Sequence, residues 1–237
     1  MFFVKYIIII LFLFLSYGCN KEIVRENKPI KKDSVVSQIA KSDIDNVLEV
    51  HVSESRRLLK ELMSKLYKRN PRELKKSSYK MAEENIVRLF DLEHTWDFPE
   101  LAGTHDIESI RLVFNEEYQG DRVFAFVSGL ISMIMKSYNY KSKFYIIDSV
   151  DPQKLYNSAR NLEIAAWKLN NDHDLQGNLF LMSNSLPNEE IRNLSYERIF
   201  GKLIATQDNI AIIIAGKKNR AIKTVIQRMA TAIFLPI

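Results

Sequence analysis

Residues 123–135 read VFAFVSGLISMIM, and this stretch is apolar or small on every side of a helix. A helix that is apolar all round is buried, because it has no polar face to turn towards water. The run lies between Arg122 and Lys136, which is too short for the roughly 20 residues that a bilayer-spanning helix needs. It therefore predicts a central core helix around which the rest of the chain packs.

The segments on either side of this helix repeat apolar residues with the helical period. Ser42 and Asp45 form a capping-box-like start, and Asn70 followed by Pro71 ends one helix and begins another. Asp151 followed by Pro152 marks a further helix start, ahead of the apolar period over 155–169. The predicted helices run from 42 to 66, onward from 71, from 81 to 90, 107 to 118, 123 to 135, 155 to 169, 188 to 208 and 220 to 233. This pattern predicts an all-α bundle of about eight helices over residues 42–237.

Two short apolar runs, residues 144–147 (FYII) and 179–182 (LFLM), are too short for periodicity to separate a strand from a helical turn. They leave a small two-stranded β ribbon as an alternative within the helical domain. Seven glycines and six prolines in 237 residues are too few for the regular turns of a β-sandwich or barrel. An apolar content of 46% and a charged content of 27% are those of an ordinary folded domain.

The loop over residues 91–105 contains the best candidates for metal ligands. Glu93, His94, Asp97 and His105 offer the imidazole and carboxylate groups that zinc and other divalent ions accept. Their spacing matches no known ligand pattern, and capping or surface contacts are the competing interpretation. Glu93 and Asp97 could also serve as general acid and base in a hydrolase. The chain contains no GxxxxGK[ST], GxGxxG, GxSxG, HExxH or CxxC motif.

A basic run lies on the chain around the predicted helix junction at Asn70. It comprises Lys68, Arg69, Arg72, Lys75 and Lys76. Such a cluster attracts phosphate or carboxylate polymers through its accumulated field. The competing interpretation is a solvated helix face. We take the run as a weak candidate for an anion-binding patch.

The N-terminal residues, MFFVKYIIIILFLFLSYGCN, carry one charge, Lys5, ahead of an apolar block. This order is typical of a secretory signal peptide. The block is followed by Gly18 and by Cys19, the only cysteine of the chain. The segment resembles the lipobox of bacterial lipoproteins, although Ser16 stands where leucine is commonest. The resemblance covers the first twenty or so residues, and the folded body resembles no family.

The lipobox resemblance implies that residues 1–18 are removed and that Cys19 carries a diacylglycerol and an N-acyl chain such as palmitate. Because the residue after the cysteine is Asn20 and not aspartate, it also implies the outer membrane, facing the periplasm. Residues 19–41 are polar and charge-mixed, which predicts a flexible tether. Without an acyl group, Cys19 would belong to a plain secretory signal or an uncut anchor.

We therefore expect a non-enzymatic lipoprotein of the bacterial envelope with a binding or assembly role. Its expected partners are the membrane, an envelope protein or an anionic envelope polymer, and not nucleic acid. The only cofactor expected is the covalent lipid. An envelope hydrolase that uses carboxylates, or a carrier of lipids or small molecules, remains open as an alternative.

Overall fold

The computed structural model describes residues 41–184 and 194–237. These residues contain seven α-helices and two short 3-10 helices, Pro99–Leu101 and Met229–Thr231. The α-helices are α1 Asp43–Arg69, α2 Pro71–Leu74, α3 Ala82–Phe90, α4 Asp106–Val113, α5 Arg122–Ser137, α6 Pro152–Asn171 and α7 Ser195–Lys218. The all-α class is thus confirmed, whereas the count of about eight helices is not. Residues Ala40–Ile237 form one compact unit.

Helix α5 is the predicted core helix, and every residue of it except Lys136 is buried. The Asp121 carboxylate begins the helix by accepting hydrogen bonds from the amides of Val123 at 2.9 Å and Phe124 at 3.0 Å. Helices α1, α4 and α6 pack around α5. The approach of α4 is especially close, because it passes over Gly129, which has no side chain.

Helices α1, α6 and α7 lie alongside one another, with α7 antiparallel to the other two. The Tyr196 hydroxyl, near the start of α7, donates to the carbonyl of Lys65, near the end of α1. At the opposite end of α7, the Lys218 ammonium donates to the carbonyl of Val150, just before α6. We call the end where α1 and α6 begin the proximal end, and the end where they finish the distal end. The proximal end is where the predicted tether joins the helical domain.

Polar side chains connect these three helices inside the core. Gln207 of α7 is buried, and its amide donates to the Ser55 hydroxyl at 3.3 Å and accepts from the Ser158 hydroxyl at 3.1 Å. Nearby, Arg160 and Asp208 form an ion pair at 2.5 Å between α6 and α7. These contacts fix the register of α7 against its neighbours.

Helix α7 differs from the prediction of a helix over 188–208. It begins at Ser195, after residues 185–193, which fall outside the described part of the chain, and it continues beyond Asp208 to Lys218. There Asn219 adopts the left-handed conformation that ends many helices. By length and composition α7 is also apolar enough to cross a membrane, a test that the core helix of a soluble protein passes as well.

The predicted helix over 220–233 is wrong, because the chain after Asn219 forms only the short 3-10 helix Met229–Thr231. Side-chain amides of α6 satisfy the backbone groups that a helix would have paired internally. Gln153 bonds both the amide and the carbonyl of Lys223, at 2.8 and 3.1 Å. Asn161 does the same for Leu235, at 2.6 and 2.8 Å. Asn157 also donates to the carbonyl of Pro236 at 2.8 Å. The C-terminal segment is therefore held along α6 at several points.

The β ribbon is not confirmed. Residues 146 and 147 form a turn, which the Asp148 carboxylate closes by accepting a hydrogen bond from the Tyr145 amide at 3.0 Å. Leu179 forms an isolated antiparallel bridge with His173 instead. Within 41–184 and 194–237 the backbone forms no named strand.

Candidate functional site

A cleft of about 800 Å³ opens at the distal end of the bundle. Its walls come from the end of α1, from α2, from the segment before α5 and from the loop after α6. The lining residues are Arg69, Asn70, Pro71, Arg72, Glu73, Glu116, Arg122, Asp174, Asn178, Leu179, Phe180 and Met182. Most of these side chains are charged or carry an amide, so the cleft suits a polar ligand better than a lipid chain.

Asn70 fixes one wall of the cleft to the other. Its side-chain oxygen accepts from the amide of Met182 at 2.7 Å, and its side-chain nitrogen donates to the carbonyl of the same residue at 2.9 Å. The same nitrogen also donates to the carbonyl of Leu66. Asn70 thus ends α1 and, at the same time, holds the loop after α6 in place.

Arg122 is a buried cation in the wall of the cleft. Its guanidinium donates to the carbonyls of Val113 at 2.6 Å, Asn115 at 3.0 Å and Tyr118 at 2.8 Å, and it lies 5.1 Å from the ring centre of Phe180. Burial lowers the pKa of Arg122, with nearby carboxylates acting in the opposite direction. The side chain therefore holds the end of α4 and contributes positive charge to the cleft wall.

The three carboxylates of the cleft are each occupied by structural hydrogen bonds. Glu73 accepts from the Arg122 amide at 2.8 Å and from the Lys76 ammonium at 2.7 Å. Glu116 accepts from a backbone amide across the cleft at 2.6 Å. Asp174 accepts from the amide of Asn178 at 2.7 Å within its own turn. General acid–base catalysis needs a carboxyl group free to exchange a proton with a substrate, and this arrangement does not favour that role.

The structure brings part of the predicted basic patch to the cleft. Arg69 and Arg72 line it, and Lys76 pairs with Glu73. Lys68 and Lys75 are exposed and lie close to these residues along the chain. Three side chains of the basic run form no hydrogen bond or ion pair with any residue of 41–184 or 194–237, namely those of Lys68, Arg72 and Lys75. These three cations remain available to a ligand.

Behind the cleft, Asp121 is buried and accepts a hydrogen bond from the Tyr67 hydroxyl at 2.7 Å. Burial raises the pKa of Asp121 to about 6, although the hydrogen bonds from Tyr67 and from the α5 amides oppose the shift. Burial also raises the pKa of Tyr67, and the nearby Asp121 charge adds to that effect. Asp121 caps α5 and faces the core, so its role is structural.

The four metal candidates are not brought together. Both ring nitrogens of His94 are occupied: one lies 2.9 Å from the Leu89 carbonyl, and the other accepts from the Trp96 amide at 3.2 Å. Glu93, Asp97 and His105 are exposed. In the described part of the chain, no three His, Cys, Asp or Glu side chains are grouped as metal ligands. The loop gives neither the metal site nor the carboxylate hydrolase any support.

Sequence patterns missed most of the cleft. Arg122, Glu116 and the loop 174–182 carry no motif, and they meet α1 only through contacts such as Asn70 with Met182. One signal was present: two charged residues, Asp121 and Arg122, directly precede the most apolar stretch of the chain. The lipid-attachment candidate, Cys19, lies outside the described residues. No protein-family model, curated protein or solved structure matches the chain.

Proposed function

We propose that this chain is a non-enzymatic lipoprotein of the bacterial envelope, anchored through acylated Cys19, whose distal cleft binds an anionic group of an envelope polymer or protein. The lipobox-like segment supports the anchor and, through Asn20, an outer-membrane location facing the periplasm. The cleft, with the unpaired Arg72 in its lining and occupied carboxylates in its walls, supports binding over hydrolysis. A lipid carrier would need an enclosed apolar cavity, whereas this cleft is open and polar.

The observation that carries the binding role is the position of Arg72. Its exposed guanidinium lines the cleft without an ion pair to any described residue, between the equally unpaired Lys68 and Lys75 along the chain. Three such cations attract a polyanion through their combined field, and salt screens that attraction. Phosphate-bearing and carboxylate-bearing polymers share the required chemistry.

The anion site is tested by the binding of fluorescent polyphosphate and polyglutamate to the purified full-length protein in detergent. The double variant Arg72→Glu, Lys75→Glu should weaken binding by about tenfold, since each exposed contact contributes up to about 1 kcal/mol. The matched control also reverses two charges, Lys202→Glu and Lys217→Glu, at exposed positions of α7, and it should leave binding unchanged. Equal loss in the control and the double variant would show nonspecific attraction to the whole protein and refute the site.

The anchor is tested separately by growing cells with labelled palmitate. The wild-type protein should incorporate the label, and the Cys19→Ser variant should not. Absence of label from the wild type would refute acylation and leave the cleft to be judged by its own assay.

A further inference from the structure

The proximal end of the bundle carries exposed isoleucines next to exposed cations. We define the proximal surface as Ile146, Ile147 and Ile226 together with Lys143, Lys217 and Arg220. Ile147 is 92% exposed at the tip of its turn, and Ile226 is 98% exposed in the C-terminal segment. Apolar side chains that are exposed singly, such as Leu175, need no explanation. These isoleucines differ because they lie at one end of the bundle together with exposed cations, and this combination points to a partner.

The local structure holds these isoleucines outward. Asp148 closes the turn under Ile147 by accepting from the Tyr145 amide and from the Lys141 ammonium. The hydrogen bond from Lys141 is the main cause that lowers the pKa of Asp148, so the carboxylate stays ionised. Ile226 follows Val225, whose amide is 3.2 Å from the Tyr156 hydroxyl of α6. Both tips therefore lie on rigid supports near the start of α6.

Exposed cations accompany the isoleucine tips at the proximal end. Lys143 is exposed, and Lys217 and Arg220 are exposed at and just after the end of α7. The nearby Glu49 carboxylate is shared by Lys41 at 2.6 Å, Lys143 at 3.6 Å and the Phe144 amide at 3.0 Å. Apolar tips flanked by basic residues are the arrangement with which proteins enter the interface of an anionic membrane.

The covalent path of the chain indicates the same partner. Residue 41 enters α1 at the proximal end, and the predicted anchor at Cys19 joins the domain there. The distal end, in contrast, is separated from this point by α1, which is about 40 Å long. The proximal surface is therefore the part of the domain that meets the bilayer at the highest effective concentration.

We infer that the proximal surface rests on the membrane, with Ile147 and Ile226 inserted at the headgroup level and the three cations against anionic headgroups. This inference depends on the proposed lipid anchor. It fixes the orientation of the domain: the distal cleft then faces away from the lipid.

The test uses the single cysteine of the chain. Acylation blocks Cys19, so a cysteine introduced by Ile147→Cys or Ile226→Cys is the only reactive thiol and takes a nitroxide spin label. The matched control is Leu175→Cys, since Leu175 is 87% exposed at the distal end, after the last residue of α6. All three side chains are almost fully exposed, so the variants keep the core intact.

The labelled proteins are reconstituted into vesicles of phosphatidylcholine with or without phosphatidylglycerol. Labels at 147 and 226 should collide with lipid-soluble oxygen several-fold more, relative to a water-soluble nickel chelate, than the label at 175. Phosphatidylglycerol should increase that difference. Labels at 147 and 226 that are as water-accessible as the one at 175 would overturn the inference while leaving the anchor intact. A reactive thiol in the wild-type protein would instead overturn the anchor and this inference with it.

Discussion

Gly129 provides a test of the packing around the core helix. Alanine in the interior of a helix is normally about 1 kcal/mol more favourable than glycine. At position 129, however, a Cβ would lie 2.7 Å from the carbonyl oxygen of Asp106, 2.7 Å from Cγ1 of Ile110 and 2.9 Å from the amide nitrogen of Ile110. Two of these three atoms belong to the backbone of α4, which cannot rotate away as a side chain can.

The clash should outweigh the gain in helix propensity. Overpacking of a well-packed core costs about 1–3 kcal/mol, and forcing α4 away from α5 belongs at the upper end of that range. We expect Gly129→Ala to lower the free energy of unfolding by about 1–2 kcal/mol after the propensity gain of about 1 kcal/mol is subtracted.

Gly201 in α7 supplies the matched control, because a Cβ there would meet no atom within 4 Å. Gly201→Ala should therefore stabilise the protein by about 1 kcal/mol. The two variants would differ by about 2–3 kcal/mol, which corresponds to roughly 4–12 °C in Tm for a domain of this size. Urea and thermal unfolding of the full-length chain, followed by circular dichroism in one detergent buffer, measure both quantities. If Gly129→Ala raised Tm as Gly201→Ala does, the close approach of α4 and α5 would be refuted.

Three further predictions concern buried polar contacts. Burial raises the pKa of Asp121 from its ordinary value of 3.8 to about 6 in the folded chain. The protonated carboxyl therefore stabilises the fold fully below about pH 4. This contribution, about 3 kcal/mol, is lost as the pH rises through about 6. Asp121→Asn should flatten this part of the stability profile measured by urea unfolding. Gln207→Ala should cost about 3 kcal/mol by the same assay, because it leaves a cavity and unpaired hydroxyls, whereas Gln207→Met should cost less. Asn161→Asp removes the amide that donates to the Leu235 carbonyl, which should loosen the C-terminal segment. Trypsin should therefore cleave after Arg228 faster than in the wild type.

Each of these three predictions would be contradicted by a specific outcome. A pH slope retained in Asp121→Asn would assign the titration to another group. Equal losses for the alanine and methionine variants of Gln207 would mean that the cavity is filled by relaxation and that hydrogen bonds dominate. Unchanged cleavage after Arg228 in Asn161→Asp would mean that the contacts of Gln153, Tyr156 and Asn157 hold the C-terminal segment without Asn161.

The sequence predicted the parts of the fold that depend on local chemistry. An all-round apolar run can only be buried, and Ser42, Pro71 and Pro152 mark helix starts through capping and fixed backbone angles. These signals need no knowledge of distant residues. The structure accordingly places α1, α2 and α6 where the sequence indicated.

The errors arose where distant partners decide the conformation. Residues 220–233 have a helical apolar period, yet backbone groups of Lys223 and Val225 pair with side chains of α6, namely Gln153 and Tyr156. Residues 144–147 are apolar, yet Asp148 folds them into a turn that exposes Ile147. Periodicity reports the face that a helix would have, and it contains no information about competing hydrogen bonds from another element.

The cleft was only partly predictable for the same reason. The basic run identified Arg69 and Arg72 because charge clusters are local in sequence. Its opposite wall depends on the bond between Asn70 and Met182, which are far apart in the chain. Such a pairing becomes visible only when α6 returns the chain to the distal end.

The parallel arrangement of α1 and α6 determines how the two ends of the domain relate to each other. Because both helices begin at the proximal end, every loop that follows them, including the walls of the cleft, lies at the distal end. Helix α1 is about 40 Å long, and it separates the proximal end, where the predicted tether enters the domain, from the cations of the cleft at the distal end. If the proximal surface contacts the membrane as proposed, the length of α1, and not the length of the tether, fixes the height at which the cleft meets its ligand. Shortening the tether should then leave ligand binding at the cleft unchanged, whereas removing a turn from α1 would move the cleft and break its contact with the α6 loop.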